Sequence, residues 1–537
     1  MVWKSSAFRA VIIATYGRYI ESRSNKIQHR LKFFYAVTLA TVLSVAGCAV
    51  NPVTGKNELS LISPAQEIAM GEKNYQPSRQ SQGGDYYLDP TLQAYVKSVG
   101  ERLAAVSDRP DLPYEFVVLN NSVPNAWAMP GGKIAINRGL LGYLEDESQL
   151  AAVLAHEIVH AAARHGASQM SRGTLANIGL AAVAVGTQGR DGGQLYGMAS
   201  QLSAAAWMAK YGRDDELESD FYGMDYMARA GYEPQGAVEL QRTFVKLSEG
   251  RQTDFLSGLF ASHPPSQRRV EANIAKAKEL PKGQRYTKRY QAAIAQLNKD
   301  SRAYKAEAEA LAALNKKQGK EALVALDKAV ALQPREGSFW ELRGHAWKLV
   351  DNLANADQAF TTAISKNPDY FSPYLARGVL RHERGQKSRG LADIKRSYEL
   401  LPTPAASYYL GEQAMVARQY SQASQYFNQA TQGGGELSAR AQQQLGAIQL
   451  RLKPESFIQT QLLLSDRREL LVRTSNKSPV TMSGIQLRLT IGAQAQILRL
   501  PEPLGSGQTA TLSTGIGPIE DASSGYRIEA VAAVPTQ

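Results

Sequence analysis

The stretch LAAVLAHEIVHAAARH, Leu150 to His165, carries three of the chain's seven histidines inside a run that otherwise reads as an apolar, buried helix. His156 and His160 are four residues apart, so a helix stacks them on one face with about 5 to 6 Å between their Cβ atoms. Two imidazoles placed in this way can share one tetrahedral ion. Glu157 follows the first histidine and projects beside that ion rather than onto it. This is the HExxH arrangement, in which zinc acidifies a bound water and the glutamate takes its proton. Chance accounts for it poorly, because 7 His and 49 acidic residues in 537 give roughly 0.008 such strings per chain. His165 lies off the 156/160 face of a continuous helix and reads as a surface or helix-end residue, favourable to the C-terminal dipole.

Catalytic zinc needs a third protein ligand and one open position. Downstream lies YGRDDELESDFYGMDYMARAGY, Tyr211 to Tyr232, charged at first and then amphipathic. HEIVH followed by Arg213, Glu216 and Asp220 in the pattern RxxExxxD resembles the zincin-like (gluzincin) metallopeptidases that include the CAAX-prenyl, HtpX and Oma-type proteases. The resemblance implies one zinc per chain, with Glu216 as third ligand and Asp220, alongside Arg213, supporting a ligand histidine from behind. Glu218 is the competing carboxylate, but two residues on it faces elsewhere on a helix. SHPPSQRR, from Ser262, resembles the family's His-Pro motif. This makes His263 a candidate either for stabilising the tetrahedral intermediate or for filling the open zinc position as an off-switch. The strand NAWAMPGGKIAI resembles the family's edge strand, implying that an extended substrate pairs along Asn125, Ala126, Trp127 and Ala128.

Outward from this core the chain changes character. Residues 1 to 32 carry seven Lys or Arg against Glu21 alone, so +6 of the net +12 precedes the first apolar run and nucleic acid is not the expected partner. That run, Phe33 to Val45, is too short to span a bilayer and fits an export signal. It ends in VAGC, which resembles a bacterial lipobox with Cys48 as the lipid-bearing residue. A signal peptide over 1–47 is therefore expected. Ala49 after the cysteine implies the outer membrane, with the protein facing the periplasm. A single Cys forms no internal disulfide in that oxidising compartment.

Within the mature chain, Ser63, Pro64 and Gln66 predict a capped helix, and Asp89-Pro90 a second one through Leu103. Tyr114 to Leu119 reads as a strand. The metallopeptidase domain is expected over 48–290, with 168–210, rich in Ala, Gly, Ser and Met, as a lid or plug. From about 303 a repeat begins. Pro334, Pro368 and Pro402 are 34 residues apart, as are Trp340, Tyr374 and Tyr408, and Gly344 and Gly378 keep the same spacing. After Pro402 the register slips by one, to Gly411, Ala423, Phe427 and Ala430. This pattern resembles the tetratricopeptide repeat, expected over 303–450 as a superhelix that holds a peptide or partner. From 453 to 537 the period becomes two, as in Ile485, Leu487, Leu489 and Ile491, predicting a small all-β sandwich.

The fold class expected is thus multidomain α+β. The layout resembles the periplasmic subgroup of β-barrel assembly-enhancing proteases. It implies misassembled or unfolded envelope proteins as substrates, the outer-membrane barrel-assembly machinery as a partner of the repeats, and the membrane as an anchor through lipid. A repeat-based chaperone or scaffold with a gated or nearly silent zinc site is the rival reading.

Overall fold

A computed structural model of the chain describes residues 48–175, 211–249, 259–519 and 525–536. The leader expected over 1–47 and most of the lid expected over 168–210 lie outside the described residues. The chain divides into two compact units between Tyr370 and Phe371.

In the first unit a hairpin of β1 (Cys48–Val50) and β2 (Asn57–Leu59) precedes α1 (Pro64–Ser81) and α2 (Pro90–Ala104). Ser63 and Gln66 form a reciprocal capping box, and the Asp89 carboxylate accepts from the N–H groups of Thr91 and Leu92. Each helix has proline at its first position, where no N–H is needed. A three-stranded sheet follows in the order β3-β5-β4. In it β3 (Glu115–Leu119) runs parallel to β5 (Lys133–Asn137), and β4 (Ala126–Met129) lies antiparallel at the edge. Gly131 and Gly132, at φ 80° and 82°, make the left-handed turn between β4 and β5.

Alternation along the strands gives each face of this sheet its own core. Phe116, Val118, Ala126, Ala128, Ile134 and Ile136 pack into the main core, which includes α3 (Glu147–Ala162). Val117, Leu119, Trp127, Met129 and Ala135 pack on the other side against Tyr75 and Met170. All sixteen residues of α3 are buried. Its N-terminus is held by the Asp146 cap and by Glu147. That carboxylate is fully buried, accepts from the hydroxyls of Tyr95 (2.7 Å) and Tyr232 (2.9 Å), and pairs with Arg289. Carboxylate charge at this end also suits the helix dipole.

Against α3 lie α4 (Arg213–Arg229) and α5 (Gln235–Glu249), followed by α6 (Gln267–Glu279) and α7 (Thr287–Ala293). Gly223 permits the close approach of α4, since a Cβ there would stand 3.3 Å from the His156 nitrogen.

The unit continues into two helical hairpins, α8 (Ala295–Asn315) with α9 (Gly319–Leu332), and α10 (Gly337–Leu349) with α11 (Leu353–Lys366). These share the main core and are tied to the sheet region by buried polar contacts. Arg138 pairs with Glu307 at 3.2 Å and covers the Tyr304 ring, and Asn120 donates to Glu336 at 3.0 Å.

The second unit carries α12 (Phe371–Glu383) with α13 (Lys387–Leu400), α14 (Pro404–Val416) with α15 (Tyr420–Ala430), and α16 (Gly435–Leu452). The periodic glycines have a common cause. A Cβ at Gly344, Gly378 or Gly411 would strike Phe360, Ile394 or Phe427 on the second helix of the same hairpin at 2.4 to 2.8 Å. Because Gly411 and Phe427 moved together, the slip after Pro402 left the contact intact.

Beyond α16, β6 (Ile458–Leu464), β7 (Leu470–Asn476) and β10 (Thr509–Ser513) form one antiparallel sheet in the order β10-β7-β6. A second, ordered β11-β8-β9, is made by β8 (Thr481–Ile491), β9 (Gln494–Arg499) and β11 (Tyr526–Thr536). Ile458, Leu470 and Val472 of one sheet share a core with Ile485, Leu487 and Leu489 of the other, which makes the sandwich that period-two alternation predicted. Among the described residues, no helix is long and apolar enough to cross a membrane.

Candidate metal centre

Four buried side chains converge where α3, α4 and the loop before α6 meet. One ligand atom each from His156, His160, Glu216 and His263 lies within 4.8 Å of the others. Nε2 of His156 and Nε2 of His160 are 3.0 Å apart. Glu216 oxygens stand 3.6 Å from the first and 3.4 Å from the second. Nδ1 of His263 is 3.3 Å from His156 Nε2 and 3.0 Å from Glu216 Oε1. A tetrahedral ion with bonds of about 2.0 to 2.1 Å has donor-to-donor edges of about 3.3 Å, so the set has the size such an ion needs. Two buried atoms beside it, Glu157 Oε2 and His263 Nε2, have no hydrogen-bond partner among the described residues. The donor set and these orphaned atoms fit a metal centre with a working carboxylate next to it.

The supporting residues are as ordered as the donors. His156 Nδ1 donates to Asp220 Oδ1 at 2.9 Å, which turns its Nε2 lone pair inward. Arg269 then grips two carboxylates of α4, Glu216 and Asp220. Its Nε and Nη2 each donate to Asp220 at 2.7 Å, and Nη1 donates to Glu216 Oε2 at 2.7 Å. The Tyr211 ring stacks on His160 with centroids 3.8 Å apart, and its hydroxyl donates to Ala128 O at 3.4 Å.

Burial drives the His160 imidazole well below its ordinary range, which favours its neutral form. Burial pushes Glu216 up, but His263 and His156 outweigh it and hold the carboxyl well below its usual value. Asp220 is likewise lowered, with Arg269 overcoming burial. Glu157 goes the other way, because burial raises it more than the neighbouring cations lower it. Burial lowers His263, yet the Glu216 and Glu157 carboxylates carry it up to about 9.

The structure brings His156, His160, Glu157, Glu216, Asp220 and His263 together, and it corrects two expectations. Arg213 is exposed at the first position of α4, away from the cluster. A cation gains nothing at a helix N-terminus, and Arg269 already neutralises the carboxylates. His165, expected at the surface, is 1% exposed, with Nδ1 2.9 Å from His160 Nδ1 and Nε2 3.1 Å from Glu218 Oε1. Glu218 faces away from the donor cluster, as its position on the helix required.

Two residues were missed altogether. Arg269 stands in the motif SHPPSQRR, but only the fold separates it from exposed Arg268. Tyr211 gave no signal of its own.

The edge strand β4 is present, with Ala126, Trp127 and Ala128 buried and the Asn125 side chain capping the Ala126 N–H at 3.0 Å. Beside Glu157 and His263 lies a narrow cleft of about 40 Å³, lined with apolar side chains such as Val153, Met224, Leu240 and Phe244. Cys48 opens β1.

The model of peptidase family M48 matches residues 90–276, the span that supplies every residue of this cluster. Metalloprotease YcaL of Escherichia coli (strain K12) is 32% identical over 200 residues, which cover 34% of this chain and 73% of that protein. The chain belongs to peptidase family M48. It is also 32% identical over 225 residues to the mitochondrial metalloendopeptidase OMA1 of Schizosaccharomyces pombe, covering 41% of this chain and 63% of that one. The beta-barrel assembly-enhancing protease of Escherichia coli (strain K12) is 29% identical over 229 residues, covering 41% of this chain and 46% of that one. The chain thus spans less than two thirds of the length of these last two relatives.

Proposed function

We propose that this chain is a zinc-dependent endopeptidase of the bacterial periplasm, tethered to the outer membrane through Cys48, that degrades misassembled envelope proteins and aids their assembly. The observation that carries the chemistry is Glu157, a buried carboxylate with one unpartnered oxygen, set beside a three-residue donor set of His156, His160 and Glu216. His156, His160 and Glu216 would hold zinc, which would supply the Lewis acidity that polarises a scissile carbonyl and acidifies water. Glu157, whose proton affinity is raised by burial, takes a proton from the attacking water and returns it to the leaving amine. Asp220 and Arg269 keep His156 and Glu216 aimed. An extended substrate pairs along Asn125 to Ala128 of β4 and places an apolar side chain in the cleft beside Glu157. His263 completes a four-donor set, the closed arrangement of a structural site, and swings aside to admit substrate. The relative named for barrel assembly supports the envelope role, and the repeats supply a surface for substrate or for the barrel-assembly machinery.

The four-donor set also favours a second reading, a repeat-based scaffold whose zinc site is silent. Zinc content measured with casein hydrolysis on the parent, Glu157→Gln and His263→Ala separates the two. One zinc in each, activity lost with Gln and raised with Ala, supports a peptidase held shut by His263. Zinc without activity in parent and Ala variant alike favours the scaffold.

A further inference from the structure

His156 is backed by a charged pair, whereas His160 has no carboxylate behind it. Its Nδ1 meets His165 Nδ1 at 2.9 Å, His165 Nε2 meets Glu218 Oε1 at 3.1 Å, and the same oxygen accepts from Asn51 Nδ2 at 3.1 Å. Asn51 is 2% exposed and belongs to the N-terminal hairpin. Its Oδ1 accepts from the N–H groups of Val53 and Thr54, and its Nδ2 also donates to Glu58, so the amide is fixed in orientation.

Hydrogen-bond roles along this line follow from one end. Asn51 can only donate from Nδ2, so Glu218 Oε1 accepts. His165 therefore donates from Nε2 and accepts at Nδ1, and His160 donates from Nδ1. That leaves the Nε2 lone pair of His160 facing His156 and Glu216. Ser219 Oγ, 3.5 Å from His165 Nδ1, lies beside the same acceptor. A backbone break makes the line possible. Arg164 adopts φ 63°, a left-handed conformation that disfavours residues with a Cβ, and its side chain is anchored by Glu67 at 2.8 Å. The chain therefore turns after α3 and folds His165 back onto His160.

We propose that Asn51, Glu218 and His165 are positioning residues that fix the tautomer and aim of His160, making the N-terminal hairpin part of the metal centre. The inference rests on His160 being a metal ligand. Outer partners of ligand histidines typically carry about 10- to 100-fold in metal affinity.

The test is zinc affinity of the full chain by competition with a chromophoric chelator, with the visible absorption of the cobalt-loaded protein as a second readout. We expect affinity to fall about 100-fold in His165→Phe and about tenfold in Asn51→Ala and in Glu218→Gln, each with a shifted cobalt band. The isosteric Gln variant preserves shape, so it remains informative even if the Phe variant does not fold. Parental affinity and an unchanged cobalt band in Asn51→Ala and Glu218→Gln overturn the proposal, even where these variants melt lower. A parent that binds no zinc overturns it too. Zinc binding with casein left intact by both the parent and His263→Ala sinks the peptidase reading alone.

Discussion

Helices α3 and α11 are of similar length, sixteen and fourteen residues, and are held in opposite ways. The repeat helix α11 buries Ala356, Ala359, Phe360 and Ala363, one stripe at helical spacing, and leaves its other faces more open. The metal-centre helix α3 buries every residue, with His156, Glu157 and His160 among them. Buried polar groups are costly unless partnered, so α3 requires Asp220, His165, Glu216 and His263 around it. In the repeats, side chains hold neighbouring helices in place. Around α3, the neighbouring helices hold the side chains.

If that contrast is sound, changes near α3 act on chemistry and changes near α11 act on the fold. The largest effect belongs to Glu157→Gln, expected to lower peptide hydrolysis about 10²- to 10⁴-fold with zinc content and melting temperature unchanged. A lower melting temperature would show that this carboxylate supports the fold as well. Arg269→Met is the informative exception. It leaves Glu216 and Asp220 facing each other without their buried cation, so urea unfolding should show a loss of about 3 to 5 kcal/mol together with weaker zinc binding. Gly344→Ala places a methyl 2.4 Å from the Phe360 ring and should cost about 1 to 3 kcal/mol, while zinc affinity per folded molecule stays at the parental value. Smallest of all, Val416→Ser, at a residue 86% exposed, should shift stability by less than about 0.5 kcal/mol in the same unfolding assay.

What the sequence disclosed follows the same division. His156, Glu157 and His160 were legible because one helix sets their geometry and four-residue spacing survives any tertiary context. The repeats were legible because Pro334, Pro368 and Pro402, the aromatics Trp340, Tyr374 and Tyr408, and Gly344 and Gly378 share one 34-residue period. Glu216 and Asp220 came by resemblance, from a second helix whose placement no spacing fixes. His165 was misread because the projection assumed a continuous helix, and the left-handed residue at Arg164 breaks it. Arg269 and Arg268 are adjacent and chemically identical, and only the packing of α6 sends one inward and leaves the other in solvent.

The distance in sequence between the parts of the metal centre sets an order of events in synthesis. Asn51 and Glu218 are 167 residues apart, and His156 and His263 are 107 apart. No nascent chain that stops short of Arg269 can assemble the whole cluster, however well its earlier helices have formed. Helix α3 is made long before the loop histidine and buried arginine that meet it arrive. The emerging polypeptide therefore carries its metal-centre residues unassembled until Arg269 has been synthesised.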